Sequence, residues 1–169
     1  VVLAVMCLFS GLLVNPVRVG VDDVEDIRPL QMIERVKEKD PEAVWAVVDM
    51  GYPLTNFLLL KGCRTINSTN VYPDLERWKI IDQNEEFTEF YNRYAHIMIH
   101  YSEDENEEKF FLLNPDYFQV RLGTEELTRL GVKYIFTKND MSGNNKMELI
   151  DAENGISVYR IKSAAVVQE

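Results

Sequence analysis

The sequence predicts an α/β fold with a mixed sheet: an early βαβ unit, flanking helices and a C-terminal antiparallel hairpin. Residues 43–49, AVWAVVD, form a β-branched run that predicts a strand, and residues 63–67, CRTIN, predict a second one. Between them, TNFLLLKG predicts a helix over 55–61 that ends at Gly62, so the two strands are expected to run parallel. Asn154-Gly155, a two-residue turn signal between two alternating segments, predicts the hairpin.

Four further helices are predicted from periodic apolar residues and capping signals. One begins at Pro29 and ends within residues 37–41, KEKDP, and its apolar side is expected to lie on the sheet. Two others are predicted over DLERWKII from Asp74 and over NEEFTEFYNRYA from Asn84, since both first residues can accept hydrogen bonds from helix amides. The last is TEELTR, with Thr124 as its N-cap and Gly131 after its end.

The remaining strands follow from alternating or β-branched runs. HIMIHYS, residues 96–102, alternates strictly, which predicts a strand with the two histidines and Met98 on one face. The same alternation places Ile97, Ile99 and Tyr101 on the other face. A turn is predicted at 114–116, Asn-Pro-Asp, between two neighbouring strands. The other predicted strands are KFFLLN (109–114), YFQVRL (117–122), VKYIFT (132–137) and the two arms of MELIDAENGISVYRIK (147–162).

Composition and charge distribution predict one globular domain with short appendages. The chain has 169 residues, of which 46% are hydrophobic and 27% charged, as in a folded domain. Residues 1–15 are expected to be the end of a transmembrane segment or a buried apolar segment. They carry no charge, but they are fewer than the roughly 20 apolar residues that span a bilayer. We expect residues 16–27 to be a linker, 28–162 a single α/β domain, and 163–169 a tail.

Charge and cysteine content argue against several kinds of partner. Acidic side chains outnumber basic ones by 28 to 18, and the net charge of −10 would repel a phosphate backbone, so no nucleic acid is expected as a partner. Cys7 and Cys63 match no metal-ligand spacing, and no phosphate-binding glycine motif is present. We therefore expect no metal and no cofactor. The acidic stretch at 103–108 is interpreted as a solvated loop.

Two stretches, residues 67–78 (NSTNVYPDLERW) and residues 91–96 (YNRYAH), contain the residue types that bind carbohydrate. Sugar hydroxyls bond to amides and carboxylates, and sugar C–H faces pack on aromatic rings. An alternative interpretation of 91–96 is architectural: its tyrosines pack, while its arginine and histidine bond backbone groups where a helix meets a strand. The candidate glycan contacts are Asn67, Asn70, Tyr72, Asp74, Trp78, Asn92, Arg93 and His96.

The two histidines, His96 and His100, are four residues apart on a predicted strand, about 13 Å from each other by the rise per residue. One metal ion cannot bind both. A second hypothesis makes His96 a catalytic base with Asp74 or Asp82 as the orienting carboxylate, so that the domain is a self-sufficient hydrolase. Residues 50–53 follow the carboxyl end of the first strand, where open α/β sheets usually hold ligands.

Four stretches carry a resemblance to a known group of proteins: residues 12–30 (LLVNPVRVGVDDVEDIRPL), 66–82 (INSTNVYPDLERWKIID), 90–97 (FYNRYAHI), and 129–140 (RLGVKYIFTKND) ahead of SVYRIK. Together they resemble the C-terminal extracytoplasmic domain of large polytopic bacterial membrane proteins. Those are the YfhO-like proteins and related members of the GT-C glycosyltransferase group. The resemblance covers nearly the whole chain.

The resemblance implies a domain on the extracytoplasmic side of the bacterial cell membrane, after the last membrane helix of a glycosyltransferase-like protein that acts in cell-envelope polysaccharide or teichoic acid glycosylation. Enzymes of that group place their catalytic carboxylate in an early loop of the membrane part. A non-catalytic soluble accessory domain is therefore implied, with its own membrane-spanning region and cell-envelope glycan as partners. The competing interpretation is a structural or docking domain that binds no ligand.

Overall fold

A computed structural model describes residues 2–13, 27–104 and 106–162 of the chain. The predicted linker, except for its last residue, and the predicted tail lie outside these ranges. The helices are α1 (Val2–Leu13), α2 (Arg28–Lys39), α3 (Phe57–Leu60), α4 (Leu75–Lys79), α5 (Thr88–Tyr91) and α6 (Thr124–Arg129). A 3₁₀ turn, Leu54–Asn56, precedes α3.

The strands are β1 (Val44–Val48), β2 (Arg64–Thr65), β3 (Thr69–Asn70), β4 (Ala95–Tyr101), β5 (Phe110–Asn114), β6 (Tyr117–Leu122), β7 (Val132–Thr137), β8 (Met147–Glu153) and β9 (Ile156–Ile161). Within the described ranges they form one sheet of order β5-β6-β4-β1-β7-β9-β8, with β2 paired to β1 and β3 to β4. The central strands β6, β4, β1 and β7 are parallel, and the outer pairs are antiparallel.

The predicted fold class is confirmed. β1 and β2 pair in parallel across a short helical crossover, and Gly62, with φ of 65°, ends that crossover in the left-handed region. At the C-terminal end, β8 and β9 form the predicted antiparallel hairpin. Its turn residues Asn154 and Gly155 have φ of 52° and 72°, as a two-residue hairpin turn requires.

Two predicted helix boundaries are wrong. The helix predicted from Asn84 is only the short helix α5. It does not begin earlier because Glu85 adopts a φ of 57° and the Asp82 carboxylate accepts bonds from the amides of Glu86 and Phe87. These interactions form a turn where the sequence pattern predicted helix. The N-cap of α6 is Gly123 rather than Thr124, and the Glu126 carboxylate accepts a bond from the Gly123 amide at 2.8 Å.

Helices cover the two faces of the sheet over different strands. The face of β4 that carries Ile97 and Ile99 is buried in a cluster that includes Trp78 of α4 and Leu127 of α6. On the opposite face, α2 and α3 bury Trp45 and Val47 of β1, together with residues of β7 and β9. His96, Met98 and His100, which lie on that second face of β4, are only partly buried. The alternation predicted for β4 is therefore confirmed.

The apolar N-terminal stretch is helical, as α1, and its large side chains, such as those of Leu3, Met6 and Phe9, are exposed. Among the residues that the structure describes, no helix is both long enough and apolar enough to cross a bilayer.

Candidate functional site

Asn67, a candidate glycan contact, is fully buried between β1 and β4. Its side-chain Oδ1 accepts a bond from the Val47 amide at 2.9 Å, and its Nδ2 donates to the Val47 carbonyl at 2.8 Å and to the Ile97 carbonyl at 3.4 Å. The side chain thus replaces a missing stretch of backbone pairing, since β2 ends at Thr65 and the pairing of β1 with β4 is at Val48 and Ile99. Asn67 has a structural role.

The two candidates on α4 also belong to the architecture. Trp78 is 1% exposed, and its ring contacts Phe118 and Phe110 with centroids 5.8 and 6.2 Å apart. Asp74 is the N-cap of α4, as predicted from its ability to accept bonds from the first helix amides. It accepts a bond from the Arg77 amide and pairs with the Arg77 guanidinium at 2.8 Å. Trp78 is thus too deeply buried to stack on a glycan.

The other candidates differ in exposure. Tyr72 is 85% exposed, and Asn92, the residue after α5, is exposed as well. Asn70 accepts a bond from the Ser68 hydroxyl at 2.9 Å. Arg93 donates to the Glu89 carbonyl at 3.1 Å and to the Pro115 carbonyl at 3.2 Å, which is the backbone-bonding role that the architectural interpretation gave it.

His96 lies among three tyrosine rings. The centroid of its imidazole is 5.2 Å from that of Tyr52 and 6.1 Å from those of Tyr94 and Tyr117. Its Nδ1 and the Thr69 hydroxyl are hydrogen-bonded at 2.7 Å. Tyr52 is 62% exposed and Tyr94 is 48% exposed, so the rings present aromatic area to solvent. We call Tyr52, Tyr94, His96 and Tyr117 the tyrosine surface.

The loop after β1 brings Tyr52 to this surface. It brings Tyr52 beside Tyr117 of β6, where burial raises the pKa of the Tyr117 phenol and the Tyr52 backbone opposes that rise. A Cβ atom at Gly51 would lie 3.3 Å from the same hydroxyl, so a larger residue at this position would crowd Tyr117. The Tyr117 hydroxyl in turn donates to Met98 Sδ at 3.4 Å.

The structure does not assemble the hydrolase predicted from Asp74, Asp82 and His96. Asp82 is buried and accepts bonds from two backbone amides and from the Tyr91 hydroxyl at 3.0 Å. Asp74 caps α4, and His96 bonds to Thr69. Among the described residues, His96 hydrogen-bonds to neither carboxylate. The predicted arrangement is wrong because each carboxylate holds its own local turn.

A different carboxylate and histidine meet at the carboxyl ends of the parallel strands. Asp49 Oδ1 is hydrogen-bonded to His100 Nδ1, and Asp49 Oδ2 accepts bonds from Asn139 Nδ2 at 2.7 Å and from the Tyr101 amide at 3.3 Å. Asp49 has φ of 54°, and its amide donates to the Ile99 carbonyl at 2.8 Å. We call Asp49, His100 and Asn139 the Asp-His cluster.

Part of the signal for this cluster is local in the sequence. β1 ends in a carboxylate, Asp49, directly before residues 50–53, which were predicted to lie where open α/β sheets hold ligands. The strand order supports that position, because β1 lies where the chain changes sides in the sheet. After β1 the chain adds β4 and β6 on one side of it, and it then adds β7 on the other side. His100 and Asn139 could not be paired with Asp49 without knowing which strands are neighbours.

A polar network lies beyond the end of β4. The Tyr101 hydroxyl donates to Glu103 at 2.5 Å and also bonds to Thr124 and Asn144. Burial, and then the bond to Glu103, raise the pKa of Tyr101 to about 12. For Glu103, burial raises the pKa, but hydrogen bonds from Thr124 and Tyr101 outweigh it and lower the pKa overall. The network fixes the start of the acidic loop at the beginning of α6.

A cleft of about 420 Å³ opens beside this network and is lined by side chains of both charges. One pair in its wall, Lys109 and Glu126, is separated by 2.5 Å between nitrogen and oxygen. Among the described residues, no group of three or more His, Cys, Asp and Glu side chains is arranged to hold a metal ion.

These features define an open α/β domain with an aromatic surface over β4 and β6 and an Asp-His cluster at the carboxyl ends of its parallel strands. Residues 23–165 match the family described as a domain of unknown function, DUF7654, and the chain belongs to that family. No curated protein and no solved structure matches the chain.

Proposed function

We propose that this chain is an accessory domain that binds glycan through the tyrosine surface. It belongs to a bacterial membrane protein of glycosyltransferase type that acts in cell-envelope polysaccharide or teichoic acid glycosylation. The domain lies on the extracytoplasmic side of the cell membrane, next to its own membrane-spanning region. The resemblance of four sequence stretches to the C-terminal domains of YfhO-like and GT-C proteins motivates this placement.

The observation that carries the binding proposal is the grouping of Tyr52, Tyr94 and Tyr117 around His96, with two of the rings largely exposed. Aromatic rings with a polar edge combine a flat apolar face with a hydrogen-bonding group, as a sugar ring requires. Nearby polar side chains include Gln119, which is paired in register with Met98 beside the tyrosines. The acidic net charge favours a neutral glycan over an anionic one.

Of the eight predicted contacts, His96 is part of the tyrosine surface, and Tyr72 and Asn92 are exposed. Tyr72 lies two residues beyond β3, whose Asn70 pairs with Ala95, so Tyr72 is near Tyr94 along the sheet. Asn67, Asp74 and Trp78 support the alternative of a structural role at their own positions. The structural roles of these three residues neither support nor contradict glycan binding by the exposed aromatic rings.

The experiment is a titration of the ¹⁵N-labelled chain with two defined oligosaccharides, chitotetraose and maltotetraose, at millimolar concentration. We expect amide shifts at the tyrosine surface. Tyr94→Ala and Tyr52→Ala should each weaken binding about threefold to tenfold, because each removes one stacking face. Leu149→Ala is the matched control, since this exposed apolar residue lies on the edge strand β8 far from β4 in the strand order.

If neither oligosaccharide shifts these amides, glycan binding by the tyrosine surface is wrong for both sugar types, and the structural or docking interpretation takes its place. An equal loss of affinity in Leu149→Ala would also contradict the proposal, because it would indicate a general effect on folding.

A further inference from the structure

Both oxygens of the carboxylate in the Asp-His cluster are already hydrogen-bonded within the protein. One oxygen is bonded to His100 Nδ1, and the other accepts bonds from the Asn139 side chain and the Tyr101 amide. The Asp49 side chain is only 12% exposed. Three hydrogen bonds, two from β4 and one from the residue Asn139 beyond β7, hold the carboxylate in one orientation. Asp49 is therefore a positioning residue for the imidazole.

The bond to Asp49 determines which nitrogen of His100 is reactive. An ionised carboxylate only accepts hydrogen bonds, so Nδ1 carries the proton and Nε2 carries the lone pair. The His100 side chain is 40% exposed, on the face of β4 that is only partly buried. The other histidine, His96, has a hydroxyl rather than a carboxylate as its partner. The two imidazoles of the chain thus differ in their chemical setting.

We propose that Asp49 and His100 form a general-base pair that hydrolyses neutral carboxylic esters at the carboxyl ends of the parallel strands. A water molecule gives a proton to His100 Nε2 while its oxygen attacks the ester carbonyl carbon. The bond between that carbon and the ester oxygen then breaks, and the imidazolium returns the proton to the leaving alkoxide. The products are a carboxylic acid and an alcohol.

The charge around the cluster selects the class of ester. Asp140 follows Asn139 and Lys138 precedes it, while Glu103 and Asp104 lie just beyond the end of β4, so acidic side chains outnumber basic ones here. The chain as a whole carries −10. Phosphate esters and other anionic substrates would be repelled by this field. A neutral ester meets no such repulsion, and it needs only an activated water to react.

The inference is independent of glycan binding, because the tyrosine surface and His100 lie toward opposite ends of β4. The test uses p-nitrophenyl acetate as the substrate and the full chain as the catalyst, compared with free imidazole at the same concentration. We expect the chain to exceed imidazole by at least about 100-fold, the lower range of general-base catalysis by a positioned side chain. His100→Gln should lower the rate at least tenfold more than His96→Gln does.

Asp49→Asn tests the positioning role. Asparagine has nearly the same shape and also tolerates a positive φ, so the loop after β1 is expected to keep its conformation. The variant should lower kcat while KM stays the same, because binding of a neutral ester does not involve Asp49. In ¹⁵N spectra of the imidazole, His100 should lose its preference for the tautomer with the proton on Nδ1.

A chemical experiment covers the case in which a variant at position 49 or 100 fails to fold. In His96→Gln the only imidazole left is that of His100. Diethyl pyrocarbonate should then abolish activity in step with modification of a single histidine. The proposal is overturned if the chain hydrolyses the ester no faster than free imidazole, if modification of His100 leaves activity intact, or if both histidine variants lose activity equally.

Discussion

At the scale of single residues, Asn67 shows how a polar side chain can belong to the backbone scaffold. Its side-chain amide takes the place of a missing strand residue. It accepts a bond from the Val47 N–H group and donates one to the Val47 carbonyl. Composition alone made Asn67 a candidate ligand contact, because an amide suits a sugar hydroxyl and a buried backbone group equally well. Burial decides between the two uses.

Asn67→Ala is expected to lower the free energy of unfolding by about 2–4 kcal/mol, since it leaves the Val47 amide and carbonyl buried without partners. Urea denaturation followed by circular dichroism measures this. Asn70→Ala is the matched control: its side chain is half-buried and accepts one bond from Ser68, so a change below about 1 kcal/mol is expected. Equal effects of the two substitutions would contradict the role assigned to Asn67.

At the scale of elements, the loop after β4 is tied to α6 through Tyr101. Its hydroxyl bonds to Glu103, Thr124 and Asn144, which belong to the acidic loop, to α6 and to the segment before β8. The acidic stretch, predicted to be a solvated loop, therefore starts at a fixed point. This tie holds the carboxyl ends of β4 and β6 together beside the Asp-His cluster.

The raised pKa of Tyr101 predicts a loss of stability in alkali. The unfolded phenol ionises near pH 10, whereas the folded one keeps its proton until about pH 12. The contribution of Tyr101 is fully present below pH 10 and is lost as the pH rises through 12, so the free energy of unfolding falls over that interval. Tyr101→Phe should show a smaller fall between pH 9 and pH 12 in guanidinium titrations.

Tyr72→Phe serves as the control, because that side chain is 85% exposed and should keep the wild-type pH dependence. If Tyr101→Phe falls as steeply as the wild type, the buried network is not the source of the alkaline dependence.

At the scale of the whole molecule, the strand order brings distant segments to one edge of the sheet. Asp49 is 51 residues from His100 and 90 residues from Asn139 along the chain, yet all three meet because β1 lies between β4 and β7. The tyrosine surface lies toward the other end of β4, at His96. The proposed glycan surface and the proposed ester-hydrolysis site therefore lie at different places on the domain.

The proposed location can be tested on a longer chain that contains the membrane-spanning region. The proposed extracytoplasmic location, which is motivated by the sequence resemblance to YfhO-like and GT-C proteins, predicts that protease added outside intact spheroplasts will cleave this domain. The exposed apolar side chains of α1 are ones that a bilayer would cover. A cytoplasmic protein of the same cells serves as the control for leakage. Protection of the domain until the membrane is lysed would contradict an extracytoplasmic location.

The sequence by itself determined the local elements, because their signals are local. Alternation and the Asn-Gly turn predicted β4 and the hairpin, and the capping ability of Asp74 predicted the start of α4. It also determined the fold class, since strand and helix patterns that alternate along the chain imply parallel pairing. The helix predicted from Asn84 is shorter than expected, since Asp82 bonds to the amides that would have formed its first turn.

Only the tertiary structure decided which polar residues can meet a ligand. Burial of Asn67 and Trp78 depends on strands and rings that lie far from them in the chain, so no local pattern distinguishes them from exposed candidates. The Asp49–His100 bond likewise needs the neighbouring placement of β1 and β4. The sequence determines the chemistry of each side chain, but the order of the strands determines which distant residues lie close together.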